Sequence, residues 1–215
     1  MTRGRLGRVL RLVAAVAVLA MVAAGCGDDD EESTGEEATG IRTIRSGTLT
    51  VCSDLPYPPF EFEEGGRTVG IDLDLMTAIA QDLGLQMAVQ DTDFDGIFAA
   101  LAANQCDVIA SSVSITDERK QNNEFTQGYY EIQQSLLVRK ADAERYKALE
   151  ALNGRTVGVQ SETTGEEYAQ AQAPRAGFTV TSFTGADEAV TALKAGQVDG
   201  VLQDYPVNAY NAEKD

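Results

Sequence analysis

The 215-residue chain contains no histidine. That absence removes Ser-His-Asp hydrolysis, Cys-His nucleophile pairs and histidine-ligated metal sites together, since each needs an imidazole. Cations are scarce as well: 17 Lys and Arg stand against 34 Asp and Glu, for a formal net charge of −17. Four of those arginines (Arg3, Arg5, Arg8, Arg11) lie at the start and seven of the acids between Gly27 and Gly40, so Ile41–Asp215 carries −14. A surface of that sign repels nucleic acid and anionic lipid, and neither is expected as a partner. Apart from Leu12–Val22, no apolar run approaches the roughly 20 residues of a membrane span. Cysteine is rare, with Cys26, Cys52 and Cys106 the three in the chain.

The basic start and the short apolar run make an export signal over residues 1–25. Ala23, Ala24 and Gly25 lead into Cys26, an arrangement that resembles a bacterial lipoprotein signal. Lipidated Cys26 then anchors the exported chain to the outer face of the cell membrane. The alternative is an ordinary cleaved signal that leaves Cys26 a spare thiol. Residues 26–40 hold no large apolar side chain after that cysteine, cannot fold, and span about 20 Å root-mean-square as a flexible acidic tether. About 175 residues remain, enough for one large domain or two small lobes. An exported chain permits a disulfide. Cys52 is nevertheless expected in mid-strand and Cys106 at a strand start, too far apart to bridge, so both read as buried thiols.

Periodicity predicts βα units from Gly47 onward. Gly47–Asp54 reads as a strand, followed by an extended loop forced by Pro56, Pro58 and Pro59. Phe60–Val69 alternates around Gly65-Gly66 as a hairpin. Leu73, Leu75, Met76, Ile79 and Leu83 are spaced as a helix over 72–83, and Leu85–Val89 is a second strand. Phe94, Ile97, Phe98 and Leu101 mark the next helix, and Val108–Ala110 a third, buried strand. Strand–helix–strand–helix–strand implies a parallel sheet with right-handed crossovers. Glu131–Lys140 is a further strand. The pattern then repeats in outline, with strands at 155–160, 178–183 and 198–204 and helices after Thr163 and over 186–195.

The stretch 107–130 organises the rest. Ser111, Ser112 and Ser114 fall where the third strand ends, and Thr116 reads as a helix N-cap before Asp117 and Glu118. Arg119 opposes the dipole of such a helix, so helix stability does not explain it. Hydroxyls, free N–H groups and a guanidinium converging on one point suit a carboxylate. In open α/β sheets ligands sit beyond the carboxyl ends of strands, and Asp54, Ser161–Thr164 and Asp204 occupy the other such ends.

The runs SDLPYPPFEF, DFDGIFAAL, SSVSITDER, GRTVGVQSETTGEEYA and VDGVLQD follow in an order and spacing similar to the polar-amino-acid solute-binding proteins of ABC transporters. The resemblance covers nearly all of Gly47 to Asp204. It implies an α/β architecture of the type II periplasmic-binding fold, with two lobes of mainly parallel sheets around a ligand cleft. Lobe one would occupy 41–134, a crossover strand 135–140 and lobe two 141–215. The family continues by roughly 50 residues beyond this point, so the C-terminal part of the usual fold is expected to be absent.

The resemblance also implies a monomeric receptor rather than an enzyme, with no cofactor and no metal. It would capture a free amino acid by hinge closure, hand it to the permease subunits of an ABC transporter, and meet the membrane only through Cys26. By position, Arg119 grips the ligand α-carboxylate with help from Ser112, Ser114 and Thr164, and Asp204 receives the α-ammonium. Tyr57 and Phe94 wall the ligand side chain, while Asp54 and Ser111 line its far end. Phe94 also fits a plain core position, and Asp204 an N-cap for the Tyr205-Pro206 turn. SSVSIT, Asp54-x-x-Tyr57 and Gln203-Asp204 are closer to the lysine/arginine/ornithine/histidine receptors, so a basic amino acid is expected, with glutamine or another polar amino acid the alternative. A dehydratase-like enzyme on the same fold is the alternative from another class. It would need a cleft acid, and Glu162, standing where the family usually has glycine, is the odd carboxylate available.

Overall fold

Thr48–Ser53 (TLTVCS) forms β1, buried along all but its first residue. The computed structural model describes residues 40–214. The signal and Cys26, with nearly all of the tether, lie outside the described residues, and so does Asp215. After β1 come the hairpin strands β2 (Phe62–Glu64) and β3 (Arg67–Val69). Gly65 and Gly66 link them with φ of 60° and 74°, as a tight two-residue turn demands. Helix α1 (Ile71–Asp82), strand β4 (Gln86–Asp91), a 3-10 turn at Phe94–Gly96, helix α2 (Ile97–Ala102) and strand β5 (Val108–Ile109) complete the first sheet. Its order is β4-β1-β5, with both pairings parallel. Neighbouring residues of β1 serve opposite faces, as the pleat requires. Val51 packs with Met76, Ala80 and Leu85, while Cys52 packs with Ile97 and Ala100.

The second sheet repeats this plan. Strand β6 (Gln134–Leu137) enters it, and β7 (Thr156–Gln160), α3 (Thr164–Ala176), β8 (Thr179–Phe183), α4 (Ala186–Lys194) and β9 (Gly200–Asp204) follow. The order is β6-β9-β7-β8, with β7 parallel to β8 and β9 and β6 antiparallel to β9. β7 therefore holds the place that β1 holds in the first sheet. Val157, Val159 and Leu202 pack with Ala169 and Phe178, and Val201 packs with Ala189, Ala192 and Leu193 on the other face. Thr163 caps α3 by accepting the Glu166 N–H at 3.1 Å, and Gly177 closes it in the left-handed conformation, φ 79°.

Four expectations are corrected. Cys52 and Cys106 form a disulfide, with Cα atoms 5.6 Å apart. Cys52 does lie opposite Ile109 of β5, but Cys106 precedes that strand in the segment arriving from α2. It therefore meets Cys52 over the face of the sheet, in one cluster with Ile97 and Ala100. The helix expected after Thr116 is a single 3-10 turn, Arg119–Gln121, although the Thr116 hydroxyl still accepts the Arg119 N–H at 3.2 Å. Leu75 and Ile79 of the α1 stripe remain 37% and 39% exposed, because Leu73, Met76 and Ala80 fill the face against the sheet. Beyond Asp204 the chain enters α5 (Tyr205–Lys214), where only a turn was expected.

Candidate ligand-binding site

The carboxyl ends of β1, β5, β7 and β9 face one another across the two sheets, within one body. The cleft there is lined by Asp54, Tyr57, Phe94, Ser111, Ser112, Ser114, Arg119, Thr164 and Asp204. All nine residues singled out in the sequence thus reach one cavity. Gln134, Gln160, Thr163, Gly165 and Gln203 line it as well; Thr163 falls in the Ser161–Thr164 strand end and Gln203 in the Gln203-Asp204 pair, while sequence reasoning missed Gln134, Gln160 and Gly165. The signal for Gln160 was available: it is a polar residue at the end of an otherwise apolar strand. Gln134 carries no such mark. The cavity measures about 30 Å³, room for little more than a water molecule.

The cleft is narrow because polar pairs cross it. Gln160 Nε2 donates to Asp54 Oδ2 at 2.5 Å and to the Thr184 carbonyl at 3.0 Å. The Tyr57 hydroxyl donates to Asp204 Oδ2 at 2.9 Å, and Gln134 Nε2 donates to Asp204 Oδ1 at 2.6 Å. The hydroxyls of Ser114 and Thr164 are 3.3 Å apart. Arg119 donates through Nη1 to the Ser114 carbonyl at 3.0 Å and through Nη2 to the Glu162 carbonyl at 2.9 Å. Its Cζ lies 5.4 Å from the ring centroids of both Phe94 and Phe98, within cation–π range. Phe94 is thus buried against its helix and lines the cleft at the same time. Glu162 adopts φ 59° with its side chain exposed. Its carbonyl faces Arg119 and its carboxylate faces solvent.

Burial dominates the electrostatics. It raises the Asp54 carboxyl to about 6, with Gln160 opposing and the charges of Asp93, Asp91 and Asp187 adding. It pushes Asp204 up as well, against the hydrogen bonds from Tyr57 and Gln134 and the charge of Arg119. The Tyr57 phenol rises for the same reason, with Asp204 beside it. Burial pulls Arg119 down, and the surrounding charges of Glu167, Glu118, Glu162 and Asp204 hold it up. A guanidinium in this setting remains a cation. The cleft therefore presents one cation on one wall and carboxyls at two other points, with aromatic faces between them.

Two α/β lobes meeting at the strand ends over a polar, charge-bearing cleft define a small-solute-binding protein of the two-lobed class. Residues 49–153 match the bacterial extracellular solute-binding proteins, family 3. The arginine-binding extracellular protein ArtP of Bacillus subtilis is 31% identical over 208 residues, which is 96% of this chain and 76% of that protein. The L-arginine-binding protein of Pseudomonas aeruginosa is 34% identical over 149 residues, 69% of this chain and 57% of that protein. A solved ancestral arginine-binding protein bound to arginine superposes with a TM-score of 0.74 at 38% identity, over 78% of this chain and 74% of that one. The chain belongs to this family of extracellular solute-binding proteins.

Proposed function

We propose that the protein is a receptor for a free amino acid, with a basic one preferred, and that it serves the permease of an ABC importer. The observation that carries this reading is the pairing of Arg119 and Asp204 within one cleft, a cation and an anion placed to receive a zwitterion. Arg119 offers a planar two-donor fork to the α-carboxylate, supported by Ser112, Ser114 and Thr164. Asp204 takes the α-ammonium, and the side chain runs between Tyr57 and Phe94 toward Asp54 and Ser111. A cavity of about 30 Å³ admits such a ligand only when the lobes part, which fits hinge closure. Two relatives named for arginine binding support the basic side chain, as does the buried carboxyl of Asp54. In this reading the receptor is a monomer, and lipidation at Cys26 would hold it at the outer face of the cell membrane. An enzymatic reading draws nothing from Glu162, whose side chain is exposed.

Calorimetric titration with the twenty amino acids tests the proposal. Arginine or lysine is expected to bind most tightly. Arg119→Ala is expected to weaken binding by about a hundredfold or more, because one member of a desolvated charge pair is worth about 3–5 kcal/mol. Affinity unchanged within a few-fold in that variant removes the carboxylate clamp. Tighter binding of glutamine or glutamate than of arginine and lysine overturns the basic preference.

A further inference from the structure

Behind the cleft lie two carboxyl groups that no cation neutralises. Glu61 and Asp72 are fully buried, and none of the ion pairs among the described residues reaches either one. The backbone forces them together. The Asp72 N–H donates to the Phe60 carbonyl at 3.0 Å. Gly70, at φ 134°, lets the chain pass where a Cβ would sit 2.1 Å from that same carbonyl oxygen. The two carboxyls are neighbours, close enough for the charge of Asp72 to act on Glu61. Each also anchors one of the consecutive serines in the cleft wall. The Ser111 hydroxyl donates to Glu61 Oε1 at 2.8 Å while accepting the Asp54 N–H at 3.0 Å. Asp72 Oδ2 accepts the Ser112 N–H at 2.6 Å and its hydroxyl at 3.4 Å, and Oδ1 accepts the Tyr129 hydroxyl at 2.8 Å. Ser112 sits at φ 47°, a conformation a serine keeps only when its surroundings hold it there.

We propose that Glu61 and Asp72 share a single proton and act as positioning residues for the amino-acid site, neutral Glu61 fixing Ser111 and the Asp54 backbone, and ionised Asp72 fixing the left-handed turn at Ser112. The inference rests on the receptor reading above. Two adjacent buried anions without a counter-charge are not tolerated, and the donors decide which carboxyl ionises. Asp72 accepts three donors, whereas Glu61 accepts the Ser111 hydroxyl alone and leaves Oε2 buried without a partner as a carboxylate. A proton on Glu61 supplies the missing donor. Burial and the Asp72 charge push Glu61 well above the usual carboxylate range, with Asp54 adding and Ser111 opposing. At Asp72 burial is offset by Ser112, Tyr129 and Glu61. The titratable groups facing the pair are Asp54, Tyr57 and Tyr129. A neutral form with a raised pKa is lost as pH rises, so affinity falls on the alkaline side as Glu61 ionises and the serines lose their anchor.

The test combines infrared spectroscopy of protein labelled with ¹³C-glutamate and calorimetric titration with arginine across pH. At about pH 8, where Asp54 is ionised, the wild-type chain is expected to show a protonated glutamic-acid carbonyl band that is absent from Glu61→Gln. Arginine affinity in the wild type is expected to fall at least tenfold as that band disappears. Glu61→Gln, whose amide still serves Ser111 and Asp72, is expected to follow only the ligand's own ammonium titration. No glutamic-acid band in the wild type overturns the proposal, and so do superimposable pH profiles for the two proteins. Should the variant fail to fold, a wild-type band that vanishes with no change in affinity overturns it equally. A wild type that binds no amino acid sinks the receptor reading instead, and the band alone then decides whether the pair holds one proton.

Discussion

Loss of the Cys52–Cys106 crosslink is expected to destabilise the protein by about 4 kcal/mol. The bond spans a sequence separation of 54 residues. Closing a loop of that length removes about 14 cal/mol/K from the unfolded chain, or about 4 kcal/mol at 25 °C. The closed loop carries the hairpin, α1, β4 and α2, so the constraint falls on much of the first lobe. Both cysteines are buried, at 0% and 2% exposure, and they pack with Ile97 and Ala100, so a Cys→Ala pair also leaves a small void. For a body of this size 1 kcal/mol moves Tm by about 2–4 °C, which sets the expected fall at about 8–16 °C. Scanning calorimetry of Cys52→Ala/Cys106→Ala against the wild type reads the shift, and peptide mapping without reductant reads the linkage. A double variant melting within about 3 °C of the wild type would falsify the loop-entropy argument, and unlinked Cys52 and Cys106 peptides would remove the bond itself.

Three further outcomes are expected. Asp54→Asn should weaken arginine binding by about tenfold or more, one charge-assisted contact being worth about 1.5–3 kcal/mol, while glutamine binding changes less; titration with both ligands decides, and arginine affinity kept intact counts against the basic preference. Burial raises Asp54 from 3.8 to about 6 and pushes Glu61, Asp72 and Asp204 the same way. The folded state therefore holds these protons more tightly than the unfolded one, and the Asp54 contribution, up to about 3 kcal/mol, is present below about pH 4 and lost as pH rises to about 6. Melting temperature should accordingly climb as the protein is taken from neutral pH toward about pH 5, and a steady fall over that range contradicts the assignment. Glu162→Gly relieves a left-handed residue of about 1–2 kcal/mol of strain against about 0.5–1 kcal/mol of added chain entropy, so a gain of about 0.5–1 kcal/mol is expected in a urea melt; a lower midpoint refutes it.

The parallel strands were legible because they are short, mainly apolar runs, several of them opening close behind a glycine (Gly47, Gly84, Gly154, Gly177), and helices between them keep the 3.6-residue period. The positions of the cleft residues followed from one rule, that polar groups beyond parallel strand ends converge, and Asp54, Ser111, Thr164 and Asp204 obey it. What escaped was set by three-dimensional approach rather than by local pattern. The disulfide depends on the path of residues 103–107 over the sheet face, which no strand register reveals. Gln134 carries no local mark in sequence, and its reach to Asp204 depends on the antiparallel pairing of β6 with β9. The Thr116 helix failed because the chain after Asn122 leaves the helical path, so the capping residues serve a single turn. Glu61, in the alternating hairpin segment, and Asp72, in the first turn of α1, carry no local mark of burial, and it is the chain path at Gly70 that brings both inward.

The contacts that join the lobes have a consequence for recognition. Asp54, Tyr57, Arg119 and Asp204 each already engage a group on the opposite side of the cleft. An arriving amino acid therefore competes with the protein's own side chains, and capture is an exchange reaction. In the proposed binding mode, the ligand's distal group would displace Gln160 from Asp54, its ammonium would displace Tyr57 or Gln134 from Asp204, and its carboxylate would displace the Glu162 carbonyl from Arg119. The number of hydrogen bonds in the cleft hardly changes, and selectivity comes from the difference between each bond gained and the bond it replaces. A solute lacking a group for any one of these three places has nothing to offer there, and the lobes pair with each other in its stead. Rejection of small or uncharged solutes then needs no steric gate, because the strongest rival for the site is the opposite wall.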